Sequence, residues 1–185
     1  MAGARSYLGA SLRATGRFNE ARAEFNAALA VYQEAGDDYD EAGVLLQIGM
    51  LQTQERDFAG AADSLARALE PYKRWGSENG RCEVLNSLGE LALAAGDLDD
   101  ALQYFRQALA IAEEKEILRE EARAREGIGH VHRAQRRLAE ADEEFRSAQA
   151  IYEKLESPSA ARLAALLGQA SASARDFSRA FLKEC

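Results

Sequence analysis

Glycines stand at Gly9, Gly49, Gly89 and Gly129, forty residues apart each time, with Gly168 thirty-nine further on. No other feature restricts the fold so severely, because a fixed long period means that one supersecondary unit is repeated and stacked. Twelve residues after each glycine come Ala21, Ala61, Ala101, Ala141 and Ala180. Four further on come Phe25, Leu65, Phe105 and Phe145, and three more give Ala28, Ala68, Ala108 and Ala148. Two further columns hold Phe18, Phe58, Leu98, Leu138 and Phe177, and Tyr32, Tyr72, Ala112 and Tyr152.

Within one period the apolar residues Leu98, Ala101, Leu102, Phe105, Ala108, Leu109 and Ala112 fall on a single helical stripe. Each unit therefore reads as two antiparallel helices, A and B, with the glycine inside A. Gly89 costs helix A about 1 kcal/mol relative to alanine. In return it lets helix B approach closely, with Phe105 filling the gap; a larger side chain there should overpack by roughly 1–3 kcal/mol. The pattern predicts helices over 2–15, 18–35, 39–54, 57–74, 78–95, 98–115, 118–135, 138–155, 158–174 and 177–184. Gly16 and Gly96 suit left-handed caps, Asp97 suits the cap of a helix B, and Ser157-Pro158 suits a helix start. Pro71 predicts a kink or early fraying.

The composition fits an all-helical globular chain. Of 185 residues, 47% are hydrophobic and 29% charged, and only two are proline. The net charge of −8 disfavours binding to a phosphate backbone, so no direct DNA binding is expected. No apolar run approaches the roughly 20 residues of a membrane span, and "MAGARSYLGASLRATG" lacks a signal-peptide core. No membrane contact is expected, and a cytoplasmic location is.

Chemistry-bearing patterns are sparse. Cys82 and Cys185 share no metal or redox spacing and lie five helices apart, too far for a disulfide within one chain. His130 and His132 are two apart on a helix and face different ways, whereas a zinc site wants i, i+4 spacing. The acidic stretch "GDDYDEAG", Gly36 to Gly43, does not match a calcium loop and reads as a solvated entry into helix A. No phosphate loop or nucleophile elbow occurs. Paired carboxylates such as Glu113-Glu114 and Glu143-Glu144 read as solvated helix faces, and the Tyr32, Tyr72 and Tyr152 column as core. No catalytic residue, metal or cofactor is expected.

The Leu-Gly or Ile-Gly pairs (Leu8-Gly9, Ile48-Gly49, Leu88-Gly89, Ile128-Gly129, Leu167-Gly168), with the alanine and phenylalanine columns, resemble the tetratricopeptide repeat over essentially the whole chain. The period of forty exceeds the usual 34, as in kinesin light chains and spindle-orientation adaptors. The wording "NSLGELALAAGDLDDALQYFRQALAIAEE" is similar to the C-terminal repeats of large actinobacterial regulators, which join such arrays to DNA-binding and ATPase modules. The resemblance implies an all-α, right-handed α-solenoid of about five helix pairs, with units near 1–36, 37–76, 77–116, 117–156 and a truncated 157–185. It also implies a non-catalytic scaffold that binds a protein or peptide, or another domain of a longer protein, in a concave groove lined by the A helices. A nucleic-acid or small-ligand groove is the alternative; mixed charges along the A helices favour the protein partner.

Placing Gly89 at the centre of the packed side puts Glu83, Asn86 and Glu90 on the opposite, groove side. The same offsets from Gly129 give Arg123, Glu126, His130 and Arg133, and from Gly49 give Gly43, Leu46, Met50 and Thr53. A partner following the groove should offer an apolar group, then a donor or cation, then an acid. Phe177 and Phe181 lack a following helix, which predicts an excised fragment, or a last helix covered by another molecule through self-association or a missing partner helix.

Overall fold

The computed structural model describes residues 1–168. Eight helices follow in order: α1 (Ala2–Ala14), α2 (Phe18–Ala35), α3 (Asp38–Gln54), α4 (Phe58–Arg74), α5 (Glu78–Ala95), α6 (Leu98–Glu114), α7 (Leu118–Ala134) and α8 (Leu138–Lys154). A ninth, α9, occupies 159–168. The expected helix over 177–184, with Phe177, Phe181 and Cys185, lies outside the described residues. Among the described residues no helix is long and apolar enough to cross a membrane.

The turns repeat at twenty residues, half the period of the glycine column. In every turn from residue 16 to residue 156 the same two bonds recur. Arg17, Asp37, Asp57, Ser77, Asp97, Ile117, Arg137 and Ser157 each donate their amide to the carbonyl five residues back, at 2.8–3.0 Å. The residue before each adopts a left-handed conformation and bonds three residues back. This double bond satisfies carbonyls that a helix end leaves free. Glycine takes that place at 16, 36, 76 and 96, whereas Arg56, Glu116, Arg136 and Glu156 hold it with φ of 65°, 55°, 63° and 51°.

Two local expectations need correction. Asp97 stands at the N-cap of α6 but makes no side-chain cap bond, although Asp37, Asp57 and Ser77 do so for α3, α4 and α5. The preceding turn differs: the Leu98 amide bonds the Gly96 carbonyl at 3.0 Å, and Gly96 opens to φ 96°. Pro71 does not fray α4. The helix runs on to Arg74, the buried proline carbonyl accepts from Trp75 N at 2.9 Å, and the following turn anchors the end.

The glycine column does what its spacing requires. A Cβ on Gly9, Gly49, Gly89 or Gly129 would stand 2.6–2.7 Å from Phe25, Leu65, Phe105 or Phe145 respectively. These side chains and the alanines of both columns from Ala21 to Ala148 are almost fully buried and build the successive core clusters.

Successive A helices touch one another, α1 on α3, α3 on α5 and α5 on α7, whereas no such contact joins α2, α4, α6 and α8. The A helices are therefore the inner layer of a curved repeat solenoid, and the B helices the outer one.

Candidate functional site

The inner face is built by one side of α3, α5 and α7 together with the start of α9. Two of the cavities among the described residues open on it. The larger, about 580 Å³, is lined by Leu46, Gln47 and Met50 of α3, Glu83 of α5, Arg119, Glu120 and Arg123 of α7, Tyr152 of α8, and residues 155–159. The smaller, about 250 Å³, lies among Glu90, Leu93, Phe105, Arg123, Glu126, Gly127, His130, Tyr152 and Arg162.

Of the nine residues expected on this face, Leu46, Met50, Glu83 and Arg123 line the first cavity. Glu90, Glu126, His130 and again Arg123 line the second. Asn86 is a correction: it is 0% exposed and donates to the Glu120 carbonyl at 3.1 Å and its carboxylate at 2.9 Å. A helical wheel assigns a helix one buried side. An A helix has two, one on its own B helix and one on the neighbouring A helices, and Asn86 falls on the second. Arg133 lines neither cavity; its guanidinium carbon sits 5.8 Å over the Phe145 ring, with Nη2 3.4 Å from His130 Nδ1. Gly43 lies 3.4 Å from the Tyr72 hydroxyl by its missing Cβ, and Thr53 bonds its own helix at the Gly49 carbonyl.

Charges on this face are arranged in two groups that join neighbouring units. In the first, Arg123 donates to Glu90 at 2.9 Å and to Ser87 Oγ at 2.9 Å, and lies 3.6 Å from Glu120. Burial opposes the charge of Arg123, yet Glu90, Glu120 and Glu83 together hold it protonated more firmly than usual. In the second, Glu126 receives Arg162 of α9 at 2.6 Å, the Tyr152 hydroxyl at 3.2 Å and His130 at 3.4 Å. Burial raises the Glu126 pKa, but the bonds from His130 and Arg162 outweigh it and hold the carboxyl below its ordinary value. Glu83 goes the other way: burial, with Glu120 close by, pushes its carboxyl up.

Arg119, Glu120, Tyr152, Leu155, Pro158 and Arg162 also line the cavities and were not anticipated. A signal for some of them is present: Arg123 with Glu90, Asn86 with Glu120, and Arg162 with Glu126 are complementary pairs 33, 34 and 36 residues apart. Pairing at slightly less than one period marks an A helix resting on the previous A helix.

The two histidines do point apart, His130 to Glu126 and His132 to Arg137. Among the described residues no group of three or more His, Cys, Asp or Glu is placed to hold a metal ion. Cys82 is buried, and burial, with Glu120 and Glu78 nearby, pushes its thiol up to about 12, far from a reactive thiolate. What the inner face offers is shape, apolar surface and fixed charge.

The tetratricopeptide repeat model matches residues 1–74 and again 41–114, an offset of one forty-residue period. The chain belongs to the tetratricopeptide repeat family. No curated protein sequence matches this array. Solved structures share its fold at low identity. A Rap protein complexed with competence and sporulation factor superposes with a TM-score of 0.83 at 17% identity, over 96% of this array and 50% of that chain. BtubC (BKLC) from P. vanneervenii gives 0.69 at 24% identity, over 84% and 64%. A kinesin light chain of nearly identical TPR-like repeats from Podospora anserina gives 0.67 at 16% identity, over 98% and 91%. The array spans about half the length of the Rap protein.

Proposed function

We propose that residues 1–185 act as one non-catalytic interaction domain that takes up an extended segment of a partner protein, or of another part of a longer chain, on its inner face. The observation that carries this reading is the larger cavity, which runs from α3 to the start of α9 and so crosses units two to five. A concave surface shared by several units suits an elongated ligand. Met50, Tyr152, Leu155 and Pro158 give it apolar walls, with Glu83, Arg119 and Glu156 as charged groups among them. Arg123 and Glu126 are engaged with their own neighbours, so a partner meets the remaining groups first. The Rap protein, a structural neighbour in complex with competence and sporulation factor, supports this reading by analogy. The similarity of the third unit to actinobacterial regulator repeats supports placing it in the cytoplasm, as the sensing part of a larger transcriptional regulator.

Selection of short random peptides displayed on phage, with the parent chain as bait, tests the reading. Peptides should emerge whose affinity falls at least tenfold for Met50→Glu and for Arg119→Glu. Selected peptides that bind both variants like the parent would place the binding surface elsewhere and overturn it.

A further inference from the structure

Antiparallel helices joined by short turns put the turns at 36, 76, 116 and 156 along one edge of the solenoid, and those at 16, 56, 96 and 136 along the other. On the first edge, and outside the lining of both inner cavities, stands the chain's only tryptophan. Trp75 follows α4 and is 62% exposed, beside Tyr39 of α3 at 42%. Neither ring is loose. Trp75 Nε1 donates to Asp38 Oδ1 at 2.9 Å, and the Tyr39 hydroxyl lies 3.2 Å from Ser77 Oγ. The Tyr39 ring stands perpendicular to Trp75, centroids 6.5 Å apart, and edge-on to the buried Tyr72 at 5.3 Å. Two turns thus hold two aromatic rings in fixed orientation with part of each facing solvent. The charge around them is acidic in balance: Gly36 to Gly43 carries Asp37, Asp38, Asp40 and Glu41 and no cation, while on the tryptophan side Lys73 pairs with Glu70 at 2.8 Å and Arg81 with Glu78 at 2.6 Å. Arg74 pairs with Asp38 at 2.8 Å and Arg67 lies 3.7 Å from Glu41, while Asp37 and Asp40 remain exposed. A helix start explains a carboxylate or two; it does not explain an exposed, fixed indole beside them.

We propose that the Tyr39–Trp75 edge is a second docking surface, separate from the inner face, and that its occupant is an arginine-bearing basic segment of a partner protein. A guanidinium stacks on an indole or phenol face and is drawn there by neighbouring carboxylates. The rings are already fixed, so little ordering accompanies binding. The excess of carboxylates over cations selects a basic segment against an acidic or neutral one.

The test uses a peptide of alternating arginine and glycine and its counterpart with citrulline, which keeps the planar group without the charge. Trp75 emission reports occupancy directly. The arginine peptide should change that emission saturably, with an affinity that falls as salt rises. By calorimetry the affinity should drop about tenfold for Trp75→Leu and several-fold for Asp40→Asn, with thermal unfolding of both variants like the parent. The citrulline peptide should not bind. Equal affinity for Trp75→Leu and the parent, unchanged emission during measurable binding, or equal binding of the citrulline peptide would each overturn the proposal. Binding that perturbs the Met50 methyl group instead of Trp75 would also overturn it, while leaving the inner-face reading intact.

Discussion

Phe105 is gripped from two helices. A Cβ on Gly89 of α5 would stand 2.7 Å from its ring, and one on Gly127 of α7 would collide with the same ring from the next unit. The first contact was legible, because glycine and phenylalanine share one unit at a recurring spacing. The second was not: Gly127 stands outside the glycine column, and the corresponding place in units two and three holds Gln47 and Ser87. Phe105→Ala should cost about 3–5 kcal/mol, read as a lowered thermal midpoint. Gly127→Ala should cost about 1–3 kcal/mol by overpacking, and Phe105→Leu in the same chain should recover part of it. Asn86 belongs to the interior for a related reason. Asn86→Ala removes both donors to Glu120, leaves that buried carboxylate short of partners, and should cost about 1–3 kcal/mol by urea unfolding. A loss of binding without a loss of stability would contradict that placement.

At the scale of elements, the sequence shows its helices clearly because alternating apolar stripes and turn glycines agree, and the boundaries of α1 to α8 match to within a residue. It conceals the twenty-residue turn period because half of the turns lack glycine. Left-handed conformation costs a side-chain-bearing residue roughly 1–2 kcal/mol, partly offset by the greater freedom glycine gives the unfolded chain. Arg56→Gly, Glu116→Gly and Arg136→Gly should therefore each raise stability by about 0.5–1 kcal/mol, measured by chemical unfolding. The docking of α9 depends on pH through Glu126. Its folded pKa lies below its unfolded value, so its contribution is present above about pH 5 and disappears as pH falls through the folded pKa. Glu126→Gln should remove that part of the acid sensitivity, seen as a flatter stability profile below about pH 5. Glu83, whose pKa is raised, has the opposite sign: its contribution is present at low pH and lost as pH rises through the folded value. Glu83→Gln should thus stabilise the chain near neutral pH.

At the scale of the molecule, curvature decides what can bind. Contacts between successive A helices, without matching contacts between B helices, turn the A layer inward and join groups from four units around one cavity. The repeat made the helix pairs and the inner layer legible. It could not show which inner residues would be covered, because that depends on how far one A helix leans on the next. Asn86 is pressed into that contact and Leu46, though at the cavity wall, is nearly covered, whereas Met50 and Arg119 stay open to the cavity. Arg119, Tyr152 and Arg162 come from positions that a wheel drawn on one helix cannot bring together. Met50 is the one methionine besides Met1, so carbon-13 methyl labelling of methionine gives a spectrum with a single probe on the cavity wall. Titration with a peptide selected on the parent chain should move the Met50 methyl resonance in a saturable way, leave Met1 unmoved, and show no shift at matched concentrations with Arg119→Glu. A peptide that binds by calorimetry while the Met50 resonance stays in place would contradict binding on the inner face.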